Sequence, residues 1–269
     1  MEDLRDGKKL LNILKPKSGT APAFGEIPFD NIIFDALKSS PSLTPSSAPK
    51  VLILCGPPGC GKSTVKRDLL AQNGIDNYIN IDPDEIRTIL MENGVTFPAD
   101  KTTMPGITNN FNKRMSDEAQ RQHLNIIFDT TGQNFKAVSD IIYTSNQLGY
   151  KTIFVIIWAS LETCRRRVES RNQHLRESGS GRIQLPIEVA EGIYNGFVGA
   201  DRGTASMLLL DYPVKANEVL LYNNNVSDID IESFTNLLQS IYKKNKTMGF
   251  IPSSSTVYAV AYLTETGRK

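Results

Sequence analysis

Cysteine, histidine and net charge are all scarce in this chain, and each scarcity excludes something. The three cysteines in 269 residues, Cys55, Cys60 and Cys164, are odd in number and lack metal-ligand spacing, so no zinc module is expected. Cys55 lies in an apolar run and Cys164 on an apolar helical face, where cysteine acts as a small hydrophobe. This usage suits a reducing compartment. The two histidines, His123 and His174, have no evident partner and receive no chemistry. Lys and Arg total 30 against 29 Asp and Glu, a net charge of +1, so there is no global attraction to nucleic acid or to a membrane surface; any basic site has to be local. No apolar run approaches a membrane span in length. The stretch Leu10-Leu11-Asn12-Ile13-Leu14 is too short, and too polar at Asn12, for a secretory signal. The expected location is the cytoplasm, with no membrane partner.

What the chain does have is Gly56-Pro57-Pro58-Gly59-Cys60-Gly61-Lys62-Ser63-Thr64 directly after the apolar run Val51–Cys55. It fits the phosphate-binding P-loop, G-x-x-x-x-G-K-[ST], between a strand and a helix as that motif requires. The glycines let the backbone wrap a polyanion with its N–H groups pointing inward, and the next helix adds its positive end. Lys62 is expected to reach the β/γ-phosphates of ATP and the Ser63 hydroxyl to ligate Mg²⁺. A plain Gly-rich turn would not need both Lys62 and Ser63. Cys60, beside a helix N-terminus, has two readings: an oxidisable thiol of lowered pKa, or, as the favoured one, a small residue that the turn tolerates.

Five short apolar runs read as strands: Val51–Cys55, Tyr78–Ile81, Asn125–Asp129, Thr152–Trp158 and Glu218–Tyr222. They are mostly continuous rather than alternating, as in strands covered on both faces. Helical stretches separate them, so the expected fold is α/β: a three-layer α/β/α P-loop NTPase with a five-stranded, mostly parallel sheet. The Ser/Pro-rich stretch from Ser39 to Pro49 reads as a linker. It divides the chain into an N-terminal extension with its linker (1–49, with one short helix before residue 38), a kinase-type domain (50–245) and a tail (246–269). The tail contains a weakly strand-like run, Val257–Leu263, and a further helix is expected near Ile231–Tyr242.

In such sheets ligands bind beyond the carboxyl ends of the strands, and two acidic segments lie there. In Ile81-Asp82-Pro83-Asp84-Glu85-Ile86, Asp82 reads as an N-cap, Pro83 as the first helical residue and Glu85 as the partner in a capping box. Asp84 is left over. It either accepts the proton of an attacking hydroxyl or simply complements the helix dipole. The third strand ends in Asp129-Thr130-Thr131-Gly132-Gln133, a polar turn whose carboxylate suits Mg²⁺ held through water, or substrate; the alternative is a turn with local Thr hydrogen bonds.

Leu161–Arg182 carries Arg165, Arg166, Arg167, Arg171, Arg176 and Arg182, with no lysine. Leu161, Cys164, Val168 and Leu175 follow helical spacing and define one apolar face. Arg171 falls on that face, where an arginine needs an anionic partner, here ATP phosphates. Arg165, Arg166 and Arg176 suit a solvated face. Arg182 follows a Gly/Ser stretch that reads as a lid excluding water.

These pieces, in this order, resemble the zeta-toxin family of P-loop kinases across about Val51 to Asn225: GPPGCGKST, IDPDEIR, IIFDTTGQN, an Arg-rich helix ending in VESR, and GRIQLP. The resemblance implies that Asp84 is the general base; Asp82, just before it, is expected to touch the metal as well as cap the helix. The resemblance also implies that Asp129, with Thr131 nearby, binds substrate, and that Arg171 and Arg182 contact phosphates. Two positions differ on the substrate side: Asp129 stands where the bacterial toxins usually have Glu, and Gln133 where they often have Arg.

The expected activity is an ATP- and Mg²⁺-dependent kinase acting on a hydroxyl of a small molecule, with UDP-N-acetylglucosamine or a related sugar nucleotide as the leading acceptor. A polynucleotide 5′-kinase is the first alternative, disfavoured by the neutral charge. A non-catalytic nucleotide-dependent binding protein is the second. No feature of the sequence points for or against an inhibitor (antitoxin) partner.

Overall fold

The computed structural model describes residues 2–16, 18–100, 102–178, 184–199, 203–204, 216–224 and 258–262. In chain order the elements are α1 (Gly7–Leu14), α2 (Pro28–Ala36), β1 (Lys50–Cys55), α3 (Lys62–Asn73), β2 (Tyr78–Ile81), α4 (Pro83–Glu92) and α5 (Thr103–Arg121). There follow β3 (Asn125–Thr130), α6 (Phe135–Gln147), β4 (Lys151–Trp158), α7 (Leu161–Glu177), α8 (Ile187–Val198), β5 (Glu218–Asn223) and β6 (Tyr258–Tyr262). The five expected strands are all present, and the strand-like run of the tail forms the sixth. The helix expected near Ile231–Tyr242 lies outside the described residues. The chain divides into two compact units, Met1–Pro49 with Ile75–Asp129, and Lys50–Gly74 with Thr130–Lys269.

In the first unit β2 and β3 pair in parallel, with Ile81 opposite Phe128, so the next residues, Asp82 and Asp129, leave the pair at one carboxyl edge. Helices α1, α2 and α4 pack with α5. The residues expected to form an extension are part of this packing, with two α-helices where the sequence reading allows one. Leu10, Leu14, Phe29, Ile33 and Phe34 are buried. Asp30 is fully buried and takes Arg114 Nε at 2.7 Å, the Gly25 N–H at 2.9 Å and a second bond from the same guanidinium. Arg114 also donates to the carbonyls of Pro22 and Ala23. Removing one member of such a pair leaves a buried charge uncompensated, at a cost of about 3–5 kcal/mol. Even the Ser/Pro stretch is tied down, Ser39 N–H to Tyr78 O and Ser46 N–H to His123 O, each at 2.9 Å. Neither the Asp30–Arg114 pair nor these backbone bonds has a signature in local composition.

In the second unit the ladder runs β1, β4, β5, β6, and all its pairings are parallel. β6 adds a sixth strand to the five of the sequence reading. β1 is buried along Val51–Cys55 and β4 along Thr152–Trp158, which is why both read as unbroken apolar runs. Helix α3 packs on β1 and α6 on β4, while α7 and α8 pack together. The fold class is the α/β P-loop fold with a parallel sheet.

Candidate functional site

In the second unit β1 ends at Cys55, and Gly56–Gly61 turn the chain into α3. Gly59 (φ 81°) and Gly61 (φ 96°) hold left-handed backbone, a conformation costly to residues with a Cβ. Space forbids a side chain as well: a Cβ on Gly59 would meet the Cys164 backbone, and one on Gly61 the Asn224 side chain. The loop therefore lies against the first turn of α7 and the residue after β5. Lys62 Nζ donates to Gly56 O at 2.7 Å, folding the lysine back over the loop it follows. Ser63 is exposed and Thr64 half-buried on the first turn of α3.

Two residues that the sequence reading gave no role brace this loop. Arg167 donates to Gly59 O at 3.2 Å, Cys60 O at 3.5 Å and Asn224 O at 3.0 Å. Asn224 Nδ2 donates to Cys60 O at 2.8 Å, and its own N–H is held by Trp158 O at 2.8 Å. Tying the loop carbonyls outward favours N–H groups that converge on the other side, the arrangement that cradles an anion. Asn224 was findable: it follows a strand at its carboxyl end. Arg167 was not, because its partners are carbonyls more than fifty residues away.

The α7 reading needs correction. The buried positions are Thr163, Cys164, Val168 and Asn172, whereas Leu161 and Arg171 are exposed. From Val168 the buried stripe steps four residues to Asn172 and not three to Arg171. Asn172 can be buried because its amide pairs with the Leu185 backbone, donating to the carbonyl at 2.7 Å and accepting from the N–H at 3.2 Å. An arginine therefore does not sit among core positions here. Arg182 lies outside the described residues.

Cys60 is fully buried. The Cys164 thiol is pushed up to about 12, by burial first and by Cys60 second, which makes it inert as a nucleophile.

Thr131 is half-buried in the turn after β3. That turn is locally tied: Thr130 Oγ1 accepts from Gly132 N–H at 3.3 Å, and the Thr204 N–H and hydroxyl both donate to Gly132 O.

In the first unit Asp82 is the N-cap of α4, with Pro83 as the first helical residue. Its Oδ1 accepts from the Asp84 N–H at 2.9 Å, so the cap is made through Asp84 rather than through the expected box with Glu85. The Asp84 carboxylate takes no part in capping. It is 77% exposed and meets Arg87 Nη2 at 3.1 Å. Asp129 is half-buried at the end of β3. The structure thus gathers Gly56–Thr64, Arg167 and Asn224 in one unit, and Asp82, Asp84 and Arg87 on one helical turn of the other.

Residues 51–186, half of the chain, match the AAA domain family. The chain belongs to the AAA domain family. Among solved structures it is similar to a chain of the PezAT chromosomal toxin–antitoxin system of Streptococcus pneumoniae, with a TM-score of 0.57 and 14% identity over 87% of this chain and 99% of that one. That likeness shows a shared fold, in keeping with the α/β P-loop fold that the motifs led one to expect. Looser likenesses link it to the AvrRxo1-ORF1:AvrRxo1-ORF2 complex with sulphate ions (TM-score 0.47, 15% identity, 82% of this chain and 63% of that one). The same complex with ATP gives a TM-score of 0.46 and 14% identity over 82% of this chain and 63% of that one. These two carry no further conclusion. No curated protein matches the chain. Among the described residues no helix is long and apolar enough to cross a membrane.

Proposed function

We propose that this protein is a kinase that transfers the γ-phosphoryl group of ATP to a hydroxyl of a small-molecule acceptor, UDP-N-acetylglucosamine or a related sugar nucleotide. The observation that carries the reading beyond nucleotide binding is the division of labour on α4. Asp82 caps the helix, and the neighbouring carboxylate of Asp84 stays in solvent, outside the cap.

The glycine cradle, its braced carbonyls and Lys62 fit a chain of phosphates. Lys62 exchanges its bond to Gly56 O for the β/γ-phosphate oxygens, a charge-assisted contact stronger than the one it gives up. Ser63 and Asp82 are the oxygen donors that would hold Mg²⁺, a hard cation suited to a hydroxyl, a carboxylate and phosphate oxygens. When bound, the ion neutralises charge on the phosphates. Asp84 accepts the hydroxyl proton as the acceptor oxygen attacks. Arg171, exposed on α7, and Arg182 are assigned to the charge on the transferring group. Asp129 and Thr131 are assigned to the acceptor, where a short polar turn suits a sugar or ribose hydroxyl.

The test is incubation with γ-labelled ATP and Mg²⁺ against UDP-N-acetylglucosamine and a 5′-hydroxyl oligonucleotide, with products read by mass spectrometry. A phosphorylated sugar nucleotide is expected, formed at a rate only weakly dependent on salt. Labelling of the oligonucleotide that falls steeply with salt, through counterion release, would replace this reading with a polynucleotide kinase. ATP binding without transfer to any acceptor would reduce it to a nucleotide-dependent binding protein.

A further inference from the structure

Thr204 has no place in the mechanism above, yet the turn after β3 hangs on it. On one side that turn is held by the Gly56 N–H, which donates to Thr130 O at 3.1 Å. It thus starts from the same residue whose carbonyl takes Lys62. On the other side stands Thr204, fully buried, which brings its N–H, at 3.1 Å, and its hydroxyl to Gly132 O from 72 residues away. Gly132 holds left-handed backbone (φ 68°), and a Cβ there would meet Cys55 Sγ and the Thr204 side chain. Glycine brings the widest backbone freedom to a turn. A carbonyl whose two lone pairs are both taken removes that freedom.

The path that delivers Thr204 is close-fitting. Gly203 lies against the carbonyls of Gly196, Phe197 and Gly199 at the end of α8, where no Cβ would fit, and its N–H donates to Gly199 O at 3.1 Å. The Gln133 side chain lies on Gly196, where a Cβ would come within 3.0 Å of Nε2. The circuit closes, from α8 through Gly203 and Thr204 to Gly132, and from Gln133 back to α8. None of these ties employs the Thr131 hydroxyl, and Thr131 lies between the two fastened carbonyls. The backbone is fixed around a side chain that the fixing does not use, which is the pattern of a group held ready for a ligand.

We infer that Thr204 is a positioning residue for the acceptor: by fastening Gly132 it sets where Thr131 meets the acceptor, at a fixed offset from the phosphate loop. This rests on the kinase reading above, and adds to it a residue that touches neither ATP nor acceptor. The turn and the loop are both reckoned from Gly56, so an acceptor placed by one is placed for the other. Such placement matters because an error of about 1 Å can cost about 100-fold in rate.

The test is a calorimetric titration of UDP-N-acetylglucosamine into the whole chain, saturated with Mg²⁺ and AMP-PNP so that the phosphate loop is occupied. The natural protein is compared with Thr204→Val and Thr204→Ser. Val keeps the branched shape and the backbone bond but loses the hydroxyl donor. Affinity for the sugar nucleotide should fall about three- to ten-fold in Thr204→Val, the scale of one hydrogen bond, and return in Thr204→Ser. Affinity for AMP-PNP should hold in both. A merely structural hydroxyl would lower the melting temperature of Thr204→Val and leave the sugar-nucleotide affinity of the folded protein unchanged, which overturns the inference. So does a loss shared equally with AMP-PNP, or one that Ser does not restore. Should Thr204→Val not fold, Gly196→Ala, whose Cβ presses on Gln133 from the other side of the circuit, is read by the same titration with the same loss expected. A natural protein that does not bind UDP-N-acetylglucosamine overturns the inference and the choice of acceptor together. Failure of AMP-PNP to bind counts against the kinase reading, and Thr204-dependent binding without phosphoryl transfer would sink that reading alone.

Discussion

The loop after β1 and the first turn of α4 both follow parallel strands at their carboxyl ends, yet one is braced and the other is open. Around the loop, Arg167 and Asn224 tie down the carbonyls of Gly59 and Cys60, and Lys62 is folded back on Gly56. On α4 an exposed carboxylate meets an arginine, and that arginine keeps a buried donor with no partner among the described residues. A loop that must present several N–H groups to one polyanion gains from being held in shape before the ligand arrives, since electrostatic preorganisation costs nothing at the moment of reaction. A turn that must receive a chemically specific acceptor gains from donors and acceptors that only the ligand completes. On the kinase reading proposed above, the braced part serves nucleotide phosphates in general, and the open part is where the choice of acceptor is made.

The largest effect should come from the braced side. Lys62→Ala removes the ammonium folded over the loop, and phosphoryl transfer should fall about 10²–10³-fold, the scale of one lost transition-state donor. Affinity for ATP should weaken with it. Turnover unchanged in a folded variant would remove the comparison altogether.

Arg167→Ala tests whether the brace matters or is incidental. It strips donors from three loop-region carbonyls, so about 1–3 kcal/mol of stability should be lost together with ATP affinity. Arg171→Ala, on the exposed side of the same helix, should leave stability alone. If the two variants melt at the same temperature and bind ATP equally well, the loop is not braced in the sense argued here.

A smaller effect belongs to the first unit. The Asp100 carboxyl is held well below its ordinary value, first by the Thr103 N–H, then by the Thr103 hydroxyl and the Thr102 N–H, which secures the start of α5. Because the folded value is depressed, the stabilisation is present above the ordinary aspartate value of 3.8 and is lost as pH falls below it. The difference in melting temperature between the natural protein and Asp100→Ala should therefore shrink as the solution is acidified through that value. A difference that stays constant would show that the charge is irrelevant.

How far the sequence could be read follows the same division. The P-loop was legible because its glycines, lysine and serine answer one local demand. β1 and β4 were legible because burial on both faces leaves an unbroken apolar run. The Asp82 cap was legible from Asp-Pro spacing, although the donor proved to be Asp84 N–H and not Glu85. What escaped depends on distant partners. Asn172 looks like a surface residue until the Leu185 backbone satisfies its amide, and so the α7 stripe was placed one residue off, on Arg171. Asp30 looks like a helix-start carboxylate until Arg114, 84 residues away, makes it a core group. Arg87 was in plain view within Ile81–Arg87, but its orphaned Nε is a fact of packing alone.

The central claim is that the two carboxylates at the start of α4 have separate duties, Asp82 for the helix cap and the metal and Asp84 for the proton. The most direct test is the single-turnover rate of phosphoryl transfer in Asp84→Asn, measured at saturating ATP with its melting temperature alongside. The account predicts a loss of about 10²–10⁴-fold, the contribution of a positioned general base, with melting unchanged. Asp82→Ala should instead lose about 0.5–2 kcal/mol of stability as a missing N-cap. An Asp84→Asn protein that transfers phosphate at the natural rate, and merely melts earlier, would contradict the account.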